Sequence, residues 1–248
     1  MSSREVMIGK NSCQSTAANG ECASASKGAE AEGRLIRRVW ERCHRFVVEA
    51  CKYSSVPPAF LGALTANESG GDLRATRFEP AVYAHLRALA EGRTAGFGLV
   101  RPESLAPEIT AMLQAKASTF HARFLDAPFA TEHAGDLARA QDEALRELAT
   151  SWGLTQIMGY HMVGRPGTTR DLLEPSFHYR VALSLLAQFV AAYQLDVAGE
   201  FAEMFRCWNT GRPDGRTFDP EYVEKGLRRM ALYHELAGAL HHRVRAGG

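Results

Sequence analysis

The sequence predicts a mainly α-helical chain carrying one small irregular β element. Three observations support this. After residue 31, apolar side chains recur at three- and four-residue steps, which buries one face of each helix. One segment, "SWGLTQIM" (151–158), breaks that period; it is short, contains a glycine and is flanked by turns, so it reads as an irregular strand or loop. No internal repeat and no long low-complexity linker follows residue 31, so the helices belong to one domain.

Residues 1–30, rich in Ser, Ala, Gly and Asn, read as a disordered leader. The domain runs from 31 to 248. Its first helix carries Leu35, Ile36, Val39, Trp40, Cys43, Phe46, Val47 and Ala50 on one stripe, and "SSVPP" ends it. Ser54 or Ser55 suits the cap of the next helix, and Pro57 or Pro58 its first turn, where a missing N–H costs little. That helix, "FLGALTANESGGDL", reads as amphipathic and stops at Gly70-Gly71. "RFEPAVYAHLRALAEGR" predicts a short helix, and 103–149 predicts helical pieces separated near "DAPFATEH". Beyond the loop "VGRPGTTRDLLEPS" come the most apolar helix, "FHYRVALSLLAQFVAAYQL", then "VAGEFAEMFRCWNTG", ended by Gly211. A last helix opens at Asp219-Pro220.

Composition narrows the function. With 46% hydrophobic residues in 248, a sizeable core is available. Lys+Arg 29 against Asp+Glu 28 leaves a net charge of +1, so no overall field draws the chain to nucleic acid. The five cysteines lack metal or disulfide spacing, and the nine histidines include no hydrolytic zinc pattern, so neither metal nor cofactor is expected. No segment reaches the roughly 20 apolar residues that span a bilayer. Nor does the amino terminus hold a secretory apolar core, so synthesis in the cytoplasm without a signal peptide is expected. Phosphate-binding loops and Gly-x-Ser-x-Gly elbows are absent as well.

Glu68 stands out. It shares a helix face with Leu61, Leu64 and Thr65 and sits at the helix's negative end. Partial burial and the dipole both disfavour its charged form, so its pKa is expected to rise, as suits a general acid near neutral pH. A helix stop whose glutamate turns to solvent is the competing reading.

Four segments, "VPPAFLGALTANESGG", "SWGLTQIMGYH", "FRCWNTGRPDG" and "DPEYVEKGL", resemble in order the motifs of the lysozyme-like superfamily of muramidases and lytic transglycosylases. The likeness spans roughly residues 56 to 233, as islands. About eighty residues separate the first two motifs, and "SWGLTQIMG" with the Phe78-Glu79 pair is closest to phage-type N-acetylmuramidases. Trp208 stands where the family more often has Tyr or Phe before the Asn, and the "SxxGAxG" lead-in of transglycosylases is missing.

The resemblance implies a lysozyme-like helical domain with a helical insertion at about 84–149. It also implies cleavage of the β-1,4 bond between N-acetylmuramic acid and N-acetylglucosamine. Glu68 is then the general acid, and Glu79 the first candidate for a second catalytic carboxylate, ahead of Asp72, which reads as an exposed turn residue. Gln156, Trp208, Asn209 and Tyr222 become substrate-binding. On the residues alone each keeps a second reading: Glu79 a helix N-terminal acid, Gln156 a turn brace, Asn209 a helix cap, and the aromatics, Trp152 and Tyr160 among them, core. The expected partner is the peptidoglycan glycan strand, with no nucleic acid and no membrane insertion. Such a protein reaches the wall as a lysin after membrane lesion, or through dedicated secretion. A transglycosylase giving 1,6-anhydro products, and a catalytically silent glycan-binding module, are the alternatives.

Overall fold

The computed structural model describes residues 16–115, 123 and 126–246, with side chains described within 28–239. Among these are nine α-helices and a three-stranded sheet. The helices are α1 (Thr16–Cys51), α2 (Pro58–Glu68), α3 (Pro80–Ala90), α4 (Pro102–Ala115), α5 (Ala127–Glu132), α6 (Ala134–Leu148), α7 (Pro175–Tyr193), α8 (Phe201–Thr210) and α9 (Tyr222–Ala246). The strands are β1 (Thr76–Phe78), β2 (Thr150–Trp152) and β3 (Ile157–Met158). The fold is mainly α, and no helix among the described residues is long and apolar enough to cross a membrane.

Helix α1 starts at Thr16, inside the segment expected to be a disordered leader, whereas residues 1–15 lie outside the described residues. Extending a helix already anchored by Ile36, Val39, Cys43 and Val47 needs no new nucleus, and the alanines before it favour propagation although Gly20, Gly28 and Gly33 oppose it.

Helix α2 also departs from expectation. It is not amphipathic: every residue from Ala59 to Ala66 is buried, because α1 and α9 pack against it and Tyr179 of α7 meets its Thr65, hydroxyl to hydroxyl at 3.0 Å. Gly62 permits the closest approach. A Cβ there would fall 2.2 Å from the Tyr233 ring of α9, so even alanine would push the helices apart. Truncating a fully buried leucine such as Leu64 to alanine is expected to cost about 2–5 kcal/mol. The helix ends at Gly70 (φ 61) and Gly71 (φ 80), as the sequence expects.

Two cores result. The larger joins α1, α2, α7, α8 and α9. The smaller, around Leu86, Leu105, Ile109, Phe129, Leu145 and Leu148, joins α3 to α6 and contains most of the stretch expected as an insertion.

The sheet joins the two cores. β1 leads into α3, α6 feeds β2, and the antiparallel order β1-β2-β3 sets Arg77 opposite Ser151 and Trp152 opposite Ile157. β1 was not foreseen; its three residues are all exposed and too few to show alternation. The turn between β2 and β3 is pinned from inside by His178, which is fully buried. Its Nε2 accepts from the Thr155 N–H at 2.9 Å, and its Nδ1 donates to the Leu172 carbonyl at 2.8 Å. Those partners fix the neutral tautomer, and burial pushes the ring's pKa down to about 4.

Candidate functional site

Glu68 is the last residue of α2 and emerges from the larger core beside β1 and the first turn of α9. Its side chain is half-buried. Desolvation raises the carboxyl pKa from 4.5 to about 7, against two smaller influences that favour the charged form: a hydrogen bond from the Tyr222 hydroxyl and the positive field of Arg77. The Tyr222 Oη–H donates to Glu68 Oε1 in a short contact. Burial and the adjoining carboxyl both push the Tyr222 phenol well above its ordinary value, so it remains a donor throughout the neutral range.

The positions on either side of Glu68 hold it still. Asn67 donates through Nδ2 to the Tyr222 backbone carbonyl at 3.0 Å, while its Oδ1 accepts from Arg229 Nη1 at 2.8 Å. Ser69 Oγ donates to the Leu154 carbonyl at 2.7 Å, which ties the end of α2 to the β2–β3 turn.

Glu79 lies at the N-cap position of α3 but makes no capping bond. Its carboxylate faces Arg77 Nε at 2.5 Å, with 29% of its side chain exposed. The helix-start reading is therefore right about its place, and the side chain's partner is Arg77. Arg77 links the two acids: it is ion-paired with Glu79, and its charge reaches Glu68. Asp72 is an exposed turn residue whose Oδ1 accepts from the Arg74 N–H at 3.0 Å.

Gln156 braces the turn. Its backbone takes the left-handed conformation (φ 54), uncommon for a residue with a side chain. Its amide donates to the carbonyls of Gly153 (2.8 Å) and Ala75 (3.2 Å), and its Oε1 accepts from Ser151 Oγ at 2.8 Å. The indole of Trp208 donates to the Thr155 carbonyl at 3.0 Å. Asn209, within α8, is exposed, and the helix is capped instead by Gly211, in the left-handed conformation (φ 80).

Gln156, Trp208 and Asn209 line a groove of about 900 Å³ together with Tyr160, His161 and Arg165. Glu68, Glu79 and Tyr222 do not line it. Tyr222, expected to bind substrate, is 8% exposed, lies outside this groove and turns its hydroxyl to the Glu68 carboxyl. The six expected site residues thus fall into two groups joined by one turn. The consecutive carbonyls of Leu154 and Thr155 take Ser69 from the Glu68 side and Trp208 from the groove side.

Asn67, Arg77, Ser151 and Arg229 were missed. Asn67 and Ser151 lie within the quoted motifs, and their polarity beside buried neighbours was the available signal. Nothing local marks Arg77 or Arg229, whose roles come from tertiary packing. Among the described residues, no group of three His, Cys, Asp or Glu side chains could hold a metal ion. Cys43, Cys51 and Cys207 are buried free thiols.

No protein-family model, curated protein or solved structure matches this chain.

Proposed function

We propose that the chain is a lysozyme-like peptidoglycan glycosidase that hydrolyses the β-1,4 bond between N-acetylmuramic acid and N-acetylglucosamine, with Glu68 as general acid. One observation carries this reading: a desolvated carboxyl, raised to about 7, at the end of a buried helix and held by a phenolic donor. At neutral pH roughly half of such a group is protonated and ready to pass its proton to the leaving glycosidic oxygen. The oxocarbenium-like centre that develops is then to be met by water. Glu79, the second carboxylate, positions that water, and Arg77 fixes Glu79. The 900 Å³ groove, which Glu68 does not line, takes a stretch of the strand beyond the scissile bond, and the β2–β3 turn that accepts from both Ser69 and Trp208 joins that groove to the acid.

The ion pair to Arg77 also favours a second reading. A carboxylate held at 2.5 Å by a guanidinium is less available to activate water, and a sugar hydroxyl attacking in its place gives the 1,6-anhydro product of a lytic transglycosylase.

Digestion of purified peptidoglycan by the wild type and Glu68→Gln, with products read by mass spectrometry, tests both. Reducing-end muropeptides from the wild type alone support the hydrolase. Products lighter by one water make it a transglycosylase. Equal release by the two proteins removes Glu68 from the mechanism, and no release from either, with glycan still bound, leaves a binding module.

A further inference from the structure

Among the described residues no aspartate or glutamate lines the groove, although the chain has 28 acidic residues. Its lining holds two basic side chains, His161 and Arg165. His161 is neutral at neutral pH, since burial pushes its pKa down to about 4 and the neighbouring Arg165 charge adds to the effect. Among the described residues Arg165 is therefore the one formal charge on the lining.

Arg165 sits on the loop that follows the short 3-10 turn Gly159–Met162, and its backbone N–H donates to the Met162 carbonyl at 2.8 Å. Its Nη1 donates to Ser184 Oγ on α7 at 3.0 Å, which aims the guanidinium while leaving most of its donors unused. Among the described residues no carboxylate lies within ion-pair distance of it. Glu108 of α4 comes to the same loop, but its Oε2 accepts from the Gly164 N–H at 3.2 Å. A half-buried, oriented guanidinium without a counter-ion, in a groove also walled by Tyr160, Trp208 and Asn209, is the arrangement that receives a carboxylate on two parallel N–H donors.

We infer that Arg165 reads a carboxylate carried by the glycan in this groove, making the site selective for acidic over neutral strands. The inference rests on the glycan reading of the groove given above. Two sources share the chemistry: the lactyl carboxylate of a peptide-free muramic acid, and the carboxylates of an attached stem peptide.

Binding is measured in the Glu68→Gln background, so that strands stay intact, against three soluble glycans of equal length. These are peptide-bearing strands, peptide-free strands with free lactyl groups, and neutral N-acetylglucosamine oligomers. At least one acidic strand is expected to bind about tenfold more tightly than the neutral oligomer. Arg165→Gln should bring that ratio to about one, and Arg165→Lys, which keeps the charge without the planar fork, should give an intermediate ratio. Whichever acidic strand shows the preference identifies the carboxylate. An acidic-to-neutral ratio unchanged by Arg165→Gln overturns the inference and leaves the glycan reading standing. Failure of all three glycans to bind overturns the glycan reading and the inference with it.

Discussion

Glu68 and Glu79 lie eleven residues apart, one at the C-terminal end of α2 and one at the N-cap of α3, and their surroundings differ in kind. Glu68 leaves a helix buried on every side, opposes the dipole of that helix and meets a phenol. Glu79 stands where a helix dipole welcomes an acid and meets a guanidinium. Two copies of one functional group thus meet opposite surroundings, and on the reading proposed above those of Glu68 suit it to giving a proton. Environment makes this division, and residue type does not.

The sharpest way to break the comparison is to neutralise each acid in turn. Glu68→Gln should slow glycan cleavage by about 10²–10⁴-fold, the usual span for a lost general acid. Glu79→Gln should slow it less and change the kind of product, raising the share of anhydro ends that mass spectrometry detects. Equal losses without a change of product would put both acids in a single role.

Stability separates them next. The folded-state pKa of Glu68 is raised, so between about 4.5 and 7 the folded state binds more protons than the unfolded one, and stability falls as pH rises through that window. Glu68→Gln removes the liability. Thermal melts should match the wild type at pH 4 and exceed it at pH 8 by up to about 3 kcal/mol, or several degrees. Glu79→Gln should act in the opposite direction and by under about 1 kcal/mol, because its partner Arg77 has 72% of its side chain exposed. A Glu68→Gln protein no more stable at pH 8 than the wild type would mean that the carboxyl is not desolvated.

Much of this arrangement was legible in advance. The helix ends at Gly70-Gly71 and Gly211, and the short non-helical segment at 151–158, depend on glycine chemistry and on a lapse of period, both local properties. The raised pKa of Glu68 followed from its place at the end of an apolar helix. What stayed hidden needed the third dimension. That α2 is buried all round depends on α9, more than 150 residues away, reaching it through Tyr233 and Gly62. The role of Tyr222 as holder of the carboxyl, and of Arg77 as the link between the acids, comes from contacts that no window of sequence contains. The separation of Gln156, Trp208 and Asn209 from Glu68 was hidden for the same reason: motif order records which residues recur, not which side of a turn they occupy.

Two further substitutions sharpen the account of Glu68 itself. The Tyr222 hydroxyl favours the ionised carboxyl, so Tyr222→Phe should raise the Glu68 pKa further and move the high-pH limb of the rate profile upward. It also frees the carboxyl to rotate, so kcat should fall by about tenfold, in line with one lost hydrogen bond to a charged group. Persistence of the wild-type limb would mean that the phenol plays no part in tuning the acid.

Arg77 should give the smallest effect, and one of a different character. Its charge also lowers the Glu68 pKa, but across space and from a mostly exposed side chain. Arg77→Gln should therefore shift the high-pH limb in the same direction as Tyr222→Phe, by less and without the same loss of kcat at low pH. Salt tells the two influences apart. An exposed charge acting through solvent is screened over about 8–10 Å at physiological ionic strength, whereas a direct hydrogen bond is not. Raising the salt should move the wild-type limb upward, towards that of Arg77→Gln, and leave that variant's own limb in place. A limb equally salt-dependent in both proteins would show that some other charge sets the field at Glu68.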